Sequence, residues 1–263
     1  MNKMVRTGVT ACVLGLASLG LISLTTATPA HAAAEGPHPA KQYWSYAGVF
    51  GTFDRAALQR GFQVYKEVCS ACHAMSHLHY RNLAALGFSD AEIKALAAEA
   101  TVMDGPNDQG EMYERPGRAS DRFKAPFPND LAARAANNGA HPPDLSLIVK
   151  ARHGGADYIY GLLTGYGNPP SGLNMPAGMN YNAMFPGHMI AMPPPLTEGG
   201  VTFADDTAAT VPQMARDVTT FLAWAAEPET EERKRSGLKV MLFLLLMTGV
   251  LYALKRKVWA DVH

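Results

Sequence analysis

The chain carries the pentapeptide Cys69-Ser70-Ala71-Cys72-His73. Cys-x-x-Cys-His is the sequence to which a c-type haem is attached. Two thiols at this spacing add across the two vinyl groups of one porphyrin, and the adjoining histidine becomes the proximal ligand of the iron. The pentapeptide therefore predicts one covalent haem c, bound by Cys69 and Cys72, with His73 on the iron.

Two other kinds of site also use paired cysteines. A structural zinc site needs a second Cys/His pair at matching spacing, and the sequence has only one further cysteine, Cys12. A dithiol redox pair of the thioredoxin type lies in a βαβ unit, whereas the residues around Cys69 have the pattern of a helix. The sequence therefore favours a haem site over both alternatives.

The N-terminus has the pattern of a secretory signal peptide. Lys3 and Arg6 precede an uncharged, mostly apolar run over residues 9–24, and Ala-His-Ala at residues 30–32 fits the small-x-small pattern of a cleavage site. The apolar run is short for a first membrane-spanning helix. Residues 1–34 are therefore predicted to be a signal peptide, which agrees with the attachment of c-type haem outside the cytoplasm in bacteria.

The C-terminus has the pattern of a membrane anchor. Residues 238–254 contain a single charge, Lys239, and basic clusters stand on both sides of this apolar stretch. The stretch is at the short end for crossing about 30 Å of hydrocarbon, and flanking lysines can extend to the interface. We predict an anchor over residues 233–257 and a cytoplasmic tail over residues 258–263. The protein would then cross the bacterial inner membrane once, with its bulk in the periplasm.

The formal net charge of zero hides an asymmetry. Residues 35–232 carry 14 Lys and Arg against 22 Asp and Glu, a net charge of −8, whereas residues 233–263 carry 7 basic residues and 1 acidic residue. An acidic exported domain argues against nucleic acid as a partner and favours a basic protein partner steered by charge.

The exported domain, residues 35–232, has mainly helical patterns. Asp54 is a candidate N-cap, and Ser89 with Glu92 forms a candidate capping box. Helices are predicted over residues 53–75, 89–100, 130–138, 157–163 and 211–226, and extended loops over residues 103–129 and 168–195. The first helix would carry the haem attachment on its last turn.

The iron also needs a second axial ligand. The residues alone leave the choice open among the many methionines and the histidines at positions 77, 79, 141, 153 and 188. Met192 is the preferred candidate because three prolines follow it and stiffen the chain next to the ligand. His188 is the alternative and would give a haem with two histidine ligands.

Seven further stretches of the sequence match one family. They are residues 60–65 (Arg-Gly-Phe-Gln-Val-Tyr), 134–139 (Arg-Ala-Ala-Asn-Asn-Gly), 142–146 (Pro-Pro-Asp-Leu-Ser), 151–155 (Ala-Arg-His-Gly-Gly), 163–166 (Leu-Thr-Gly-Tyr), 190–193 (Ile-Ala-Met-Pro) and 224–228 (Trp-Ala-Ala-Glu-Pro). With the pentapeptide and the terminal anchor, they resemble the cytochrome c1 family, the membrane-anchored haem subunits of ubiquinol–cytochrome c oxidoreductase. The resemblance runs from residue 43 to the C-terminus.

The resemblance implies a fold and a set of site residues. The fold would be mainly α, a class I cytochrome c-type haem domain with long loop insertions plus one C-terminal transmembrane helix. Met192 would be the distal iron ligand, and the carbonyl of Pro143 would accept the N–H of the proximal His73. Arg152 and Tyr158 would bind the haem propionates.

The resemblance also implies a function. Single electrons would pass from a Rieske iron–sulfur protein through the haem to a soluble or tethered cytochrome c acceptor, in a complex with cytochrome b and in contact with membrane lipid. The isolated chain would then be no enzyme, because both axial positions of the iron are filled. A haem enzyme such as a peroxidase, and a stand-alone anchored carrier or gas-sensing module, are the alternative classes.

Overall fold

A computed structural model describes residues 36–261, which contain six α-helices and two short β-hairpins. The predicted signal peptide, residues 1–34, lies outside the described residues. The helices are α1 (Arg55–Glu67), α2 (Asp90–Ala98), α3 (Asp130–Ala136), α4 (Gly155–Thr164), α5 (Val211–Ala226) and α6 (Thr230–Val258). The strands are β1 (Thr101–Asp104), β2 (Tyr113–Pro116), β3 (Asn180–Tyr181) and β4 (Met189–Ile190). The mainly helical fold class is therefore confirmed.

The seam between α1 and α5 organises the core. A Cβ atom on Gly61 would lie 2.1 Å from the carbonyl oxygen of Asp217, so only glycine lets the two helices approach this closely. Phe62 of α1 packs edge-to-face on Phe221 of α5, with ring centroids 5.7 Å apart. Because α5 is buried along most of its length, this seam supplies much of the apolar burial that stabilises the domain.

A buried ion pair fixes the register of the same seam. The Nε of Arg60 donates to the carboxylate of Asp217 at 2.7 Å, and the Asp217 side chain is 1% exposed. A second arm of the Arg60 guanidinium reaches Asp205 in the loop before α5 at 2.6 Å. Removing the arginine would leave a buried carboxylate unpaired, which is strongly destabilising.

The first predicted helix is shorter than the sequence pattern indicates. Asp54 caps it as expected, but α1 ends at Glu67, and a 3₁₀ turn (Cys69–Ala71) follows. The Ser70 hydroxyl donates to the carbonyl of Lys66 at 2.6 Å, which satisfies one of the free carbonyls at the helix end. The prediction of a helix over residues 53–75 is therefore wrong at its C-terminal end, and the pentapeptide begins on the 3₁₀ turn.

The two predicted long loops contain hairpins. Strands β1 and β2 pair antiparallel in the first loop, where Arg115 on β2 bridges the carboxylates of Asp104 and Asp121. Strands β3 and β4 pair antiparallel in the second loop. The prediction of extended loops is therefore only partly correct, because each loop contains a short pair of hydrogen-bonded strands. In the first loop, ion pairs of Arg115 accompany the strand pairing. The predicted capping box of α2, Ser89 with Glu92, is confirmed.

The last helix, α6, has the length and composition of a membrane span. Its 29 residues extend over about 44 Å at a rise of 1.5 Å per residue, which exceeds the hydrocarbon thickness of about 30 Å. The apolar side chains of its central turns are exposed. It is the one helix with these properties among residues 36–261, and the prediction of a C-terminal transmembrane helix is confirmed.

Candidate haem site

The pentapeptide folds into a tight turn directly after α1. The backbone N–H groups of Cys72 and His73 both donate to the carbonyl of Cys69, at 3.1 and 2.9 Å. Cys69, Cys72 and His73 are therefore held within one short turn of backbone. Cys69 is partly buried, Cys72 is exposed, and neither thiol is in a disulfide. Both thiols are therefore available for thioether bonds.

His73 is held in one orientation by a distant carbonyl. Its Nδ1 lies 2.8 Å from the carbonyl oxygen of Pro143, 70 positions further along the chain. Burial lowers the pKa of His73, and the contacts with Pro143 and Asp144 oppose this only in part. The ring is therefore a neutral imidazole that donates through Nδ1–H and leaves Nε2 free to bind a metal.

The carbonyl of Pro143 is itself fixed by its neighbours. The Asp144 carboxylate accepts backbone N–H groups of Ser76 at 2.9 Å and Ser146 at 2.7 Å. Burial acts to raise the pKa of Asp144, but hydrogen bonds from Ser146 and Ser76 outweigh it and hold the pKa at about 2. The Asp144 carboxylate thus connects Ser76, three residues after the pentapeptide, to the segment around Pro143. This connection restricts the position of the carbonyl that accepts from His73.

Arg152 and Tyr158 lie close together at the start of α4. Tyr158 is buried, and burial raises its pKa, whereas the nearby positive charge of Arg152 lowers it. Arg152 is exposed and donates to the adjacent carbonyl of Ala151 at 3.1 Å. Its guanidinium pairs with no carboxylate among the described residues, so its charge is available to an anionic group such as a propionate.

Met192 is fixed through its backbone rather than its side chain. Its carbonyl oxygen accepts the hydroxyl of Tyr166 at 3.1 Å and the side-chain amide of Asn180 at 3.4 Å. Burial raises the pKa of Tyr166, and the proximity of Tyr158 raises it further. Tyr166 is therefore the side chain that joins the end of α4 to the backbone of the candidate distal ligand.

A fully buried amide joins this loop to α4. Asn182 donates through Nδ2 to the carbonyl of Leu162 at 2.7 Å, and its Oδ1 accepts the backbone N–H groups of Met184 at 2.9 Å and Phe185 at 3.2 Å. Both polar side-chain atoms of Asn182 therefore form hydrogen bonds. The sequence analysis did not identify Asn180 or Asn182. It included Tyr166 in the Leu-Thr-Gly-Tyr stretch but assigned it no role.

His188, the alternative distal ligand, occupies a surface position. It is exposed, has a φ of 60°, and its ring lies 5.9 Å from that of Tyr181. The structure thus brings His73 together with Pro143, and Met192 together with Tyr166 and Asn180. No hydrogen bond within residues 36–261 links the first group directly to the second.

Comparison with known proteins decides the family. Residues 44–262 match the Cytochrome C1 family. The chain belongs to the cytochrome c1 family. A cytochrome c1 of Rhodospirillum rubrum is 52% identical over 238 residues, covering 84% of this chain and 88% of that protein. A Candida albicans protein named as the catalytic subunit of the mitochondrial cytochrome b-c1 complex is 49% identical, covering 90% of this chain and 83% of its own length.

A third relative in the cytochrome c1 comparison is longer. The protein named cytochrome b/c1 of Bradyrhizobium diazoefficiens is 47% identical over 277 residues, and the match covers 97% of this chain but 40% of that protein. Members of the cytochrome c1 family are haem-containing electron-transfer subunits of the b–c1 complex. The residues in the structure fit such a group, because two free thiols lie close in sequence to an imidazole whose Nδ1 is hydrogen-bonded and whose Nε2 has no hydrogen-bond partner among residues 36–261.

Proposed function

We propose that this chain carries single electrons through one covalently bound haem c, from a Rieske iron–sulfur protein to a cytochrome c acceptor. It would act as a subunit of the cytochrome b–c1 complex. The contact of 2.8 Å between the Nδ1 of His73 and the carbonyl of Pro143 is the observation that carries the proposal. It prepares a neutral imidazole for iron, as electron-transfer haem sites require.

Six side chains and one backbone carbonyl would hold the haem. Cys69 and Cys72 would form the thioether bonds, and His73 would bind the iron on the side fixed by the Pro143 carbonyl. When bound, a haem with histidine and methionine ligands supplies a one-electron couple of raised potential.

The remaining residues act on the distal side and on the propionates. Met192 would be the second axial ligand, as its family resemblance implies, and Tyr166 and Asn180 would keep it in place through its backbone. A ligand fixed in this way excludes water and small molecules from the iron, which favours electron transfer over substrate chemistry. Arg152, whose charge has no carboxylate partner among the described residues, and the hydroxyl of Tyr158 would bind the propionates.

The charge and the ends of the chain support a site outside the cytoplasm. The net charge of −8 over residues 35–232 complements a basic cytochrome c. A signal peptide over residues 1–34, a haem domain over residues 35–232 and an anchor over residues 233–257 would place the haem on the periplasmic side of a bacterial inner membrane. Cytochrome b would then contact the anchor within the bilayer.

Purification from membranes tests this function. We expect the tagged chain to carry one haem c and to co-purify with a b-type cytochrome and an iron–sulfur protein. We also expect a quinol to reduce the haem only when the iron–sulfur protein is present. A haem-loaded chain that purifies alone, and that a quinol reduces equally well without partners, would identify a stand-alone carrier instead.

A further inference from the structure

A short turn next to the start of α6 exposes two large apolar side chains. Val49 is 65% exposed and Phe50 is 81% exposed, on a turn that begins at Gly48 with a φ of 73°. The residues on either side of the turn behave differently, because the rings of Tyr46 and Phe53 stack at 4.6 Å and pack against the core. Tyr46 and Phe53 thus attach the segment to the core, whereas Val49 and Phe50 at the turn are exposed.

The turn is tied to the beginning of the membrane-spanning helix. The Nζ of Lys234 donates to the carbonyls of Tyr46 at 2.5 Å and Gly51 at 3.1 Å. The backbone N–H of Phe53 donates to the carboxylate of Glu231 at 2.7 Å, and Arg55 pairs with the same carboxylate. Two successive turns of α6 therefore fix the position of residues 46–53.

This attachment sets the depth of the turn relative to a membrane. Lys234 precedes the apolar stretch that begins at Leu238 by four residues, which is about 6 Å along a helix axis. The headgroup region of each leaflet is roughly 5–8 Å thick, since the whole bilayer exceeds its hydrocarbon core by about 10–15 Å. With Leu238 at the start of the hydrocarbon core, the carbonyls that Lys234 holds lie at the level of the lipid headgroups. At that level, insertion of exposed apolar side chains such as Val49 and Phe50 lowers the free energy.

A cationic cavity lies beside the turn. It has a volume of about 270 Å³, and its walls include Tyr46, Lys150, Glu227, Arg233 and Lys234. Glu227 is its single carboxylate and pairs with both Lys150 and Arg233. The hydrogen bonds of Lys234 within the described chain go to neutral carbonyls, so the cavity keeps a net positive charge.

We propose that the turn at Val49 and Phe50 inserts into the headgroup region beside α6, and that the adjacent cavity binds the phosphate of an anionic phospholipid. Two features identify lipid as the occupant. The turn is continuous with the membrane-spanning helix, and the charge of the cavity complements a phosphate at headgroup depth. The haem domain then meets the membrane at a second point besides its anchor.

Depth measurement tests the insertion of the turn. Nitroxide labels are placed on Phe50→Cys and, as control, on Leu131→Cys, which replaces a side chain that is 80% exposed on α3. The probe is the full, haem-loaded chain in vesicles of phosphatidylcholine and phosphatidylglycerol. We expect relaxation by oxygen to exceed relaxation by an aqueous nickel complex at position 50, and the reverse at position 131. An aqueous profile at both positions would overturn the proposal.

The same label is also read in the complex purified from membranes. If a second subunit covers the turn there, the label at position 50 is immobilised and shielded from both reagents. That outcome would overturn lipid as the occupant of the turn. Because both substituted side chains are exposed, the fold does not depend on either of them.

Lipid retention tests the cavity. Phosphatidylglycerol that remains with the purified chain is counted by native mass spectrometry for Lys150→Gln and for Lys94→Gln, an exposed lysine on α2 that serves as the control. We expect about fivefold weaker retention in Lys150→Gln, as for one basic residue near an anionic surface, and unchanged retention in Lys94→Gln. Equal retention in the two variants would overturn the headgroup site.

Discussion

The hydroxyl of Tyr166 donates a hydrogen bond to the carbonyl oxygen of Met192 at 3.1 Å. The bond joins the end of α4 to a loop in which proline removes backbone donors on one side of the methionine. A thioether is a weak ligand, so the proposed binding of Met192 to iron would be stronger if the loop had little conformational freedom left to lose. Tyr166 and the buried Asn182 restrict that freedom through their hydrogen bonds to the backbone.

Loss of the Tyr166 hydroxyl should therefore loosen the distal ligand. We expect Tyr166→Phe to keep its covalent haem but to let imidazole displace Met192 more readily, by roughly tenfold at most, which corresponds to one hydrogen bond. Titration of the ferric spectrum with imidazole measures this. Tyr181→Phe, on strand β3 before Met192, is the matched control and should titrate as the wild type. Equal affinities in all three proteins would contradict the role of Tyr166.

Replacement of the methionine itself tests the ligand assignment. We expect Met192→Leu to lose the weak long-wavelength absorption of sulfur-ligated ferric haem and to have a lower reduction potential, because the thioether raises the potential. Met189→Leu, three residues earlier, should keep both properties. If the spectrum of Met192→Leu were unchanged, another side chain would have to be the ligand, and His188→Ala would be examined next.

The acidic domain should attract basic partners from a distance. We expect the association rate with a basic cytochrome c to fall as salt rises, because exposed charges are screened beyond a Debye length of about 8 Å at physiological ionic strength. Stopped-flow kinetics over a range of sodium chloride concentrations measure this rate. A rate independent of salt would leave apolar contact as the main attractive interaction.

The first turns of α6 should stabilise the haem domain even without a membrane. A chain that ends after Arg235 keeps the bonds of Glu231 and Lys234 to residues 46–53, whereas a chain that ends after Glu227 loses them. We expect the shorter chain to be less stable by roughly 1–3 kcal/mol, since hydrogen bonds to charged groups are lost. Both chains should keep covalent haem and methionine ligation. Equal denaturant midpoints for the two chains would show that the first turns of α6 do not stabilise the haem domain.

The carboxylate beside Pro143 should make stability depend on pH in acid. The pKa of Asp144 is about 2 in the folded chain, below its ordinary value of 3.8. Its contribution is therefore present above pH 3.8 and is lost as the pH falls towards 2. We expect Asp144→Asn to be less stable than the wild type near neutral pH, with the difference vanishing near pH 2. Asp108→Asn, on an exposed turn, should show no such difference in denaturant unfolding.

Helix α5 could be predicted to the residue from the sequence, and the turn after α1 could not. The apolar side chains of α5 recur at helical spacing and predict the helix. Its burial goes beyond that face, because every residue from Asp217 to Ala225 is buried. The pattern of α1 continues through Cys69, yet the helix stops at Glu67. Periodicity does not distinguish a helix from a 3₁₀ turn over one further turn, because both place the same residues on the same side.

In the candidate haem site, too, features formed by neighbouring residues could be predicted, and contacts between distant residues could not. The pentapeptide identifies haem chemistry because its three reactive side chains are adjacent. The contact between His73 and Pro143 spans 70 positions, so it was expected only from the family resemblance. Asn182 and Tyr166 escaped prediction because their partners are backbone carbonyls brought near by the fold, and no residue type marks such a carbonyl in a sequence.

Arg60 and Asp217 are separated by 157 positions along the chain. A polypeptide that emerges from its N-terminus presents Cys69 and Cys72 long before Asp217 reaches α1. The seam between α1 and α5 therefore closes late, and contacts of such long separation slow folding. During that interval both thiols lie in an unfolded segment, where the proposed haem would be attached without opening the core. The long separation of Arg60 and Asp217 in the sequence would thus let the haem be attached before the core closes.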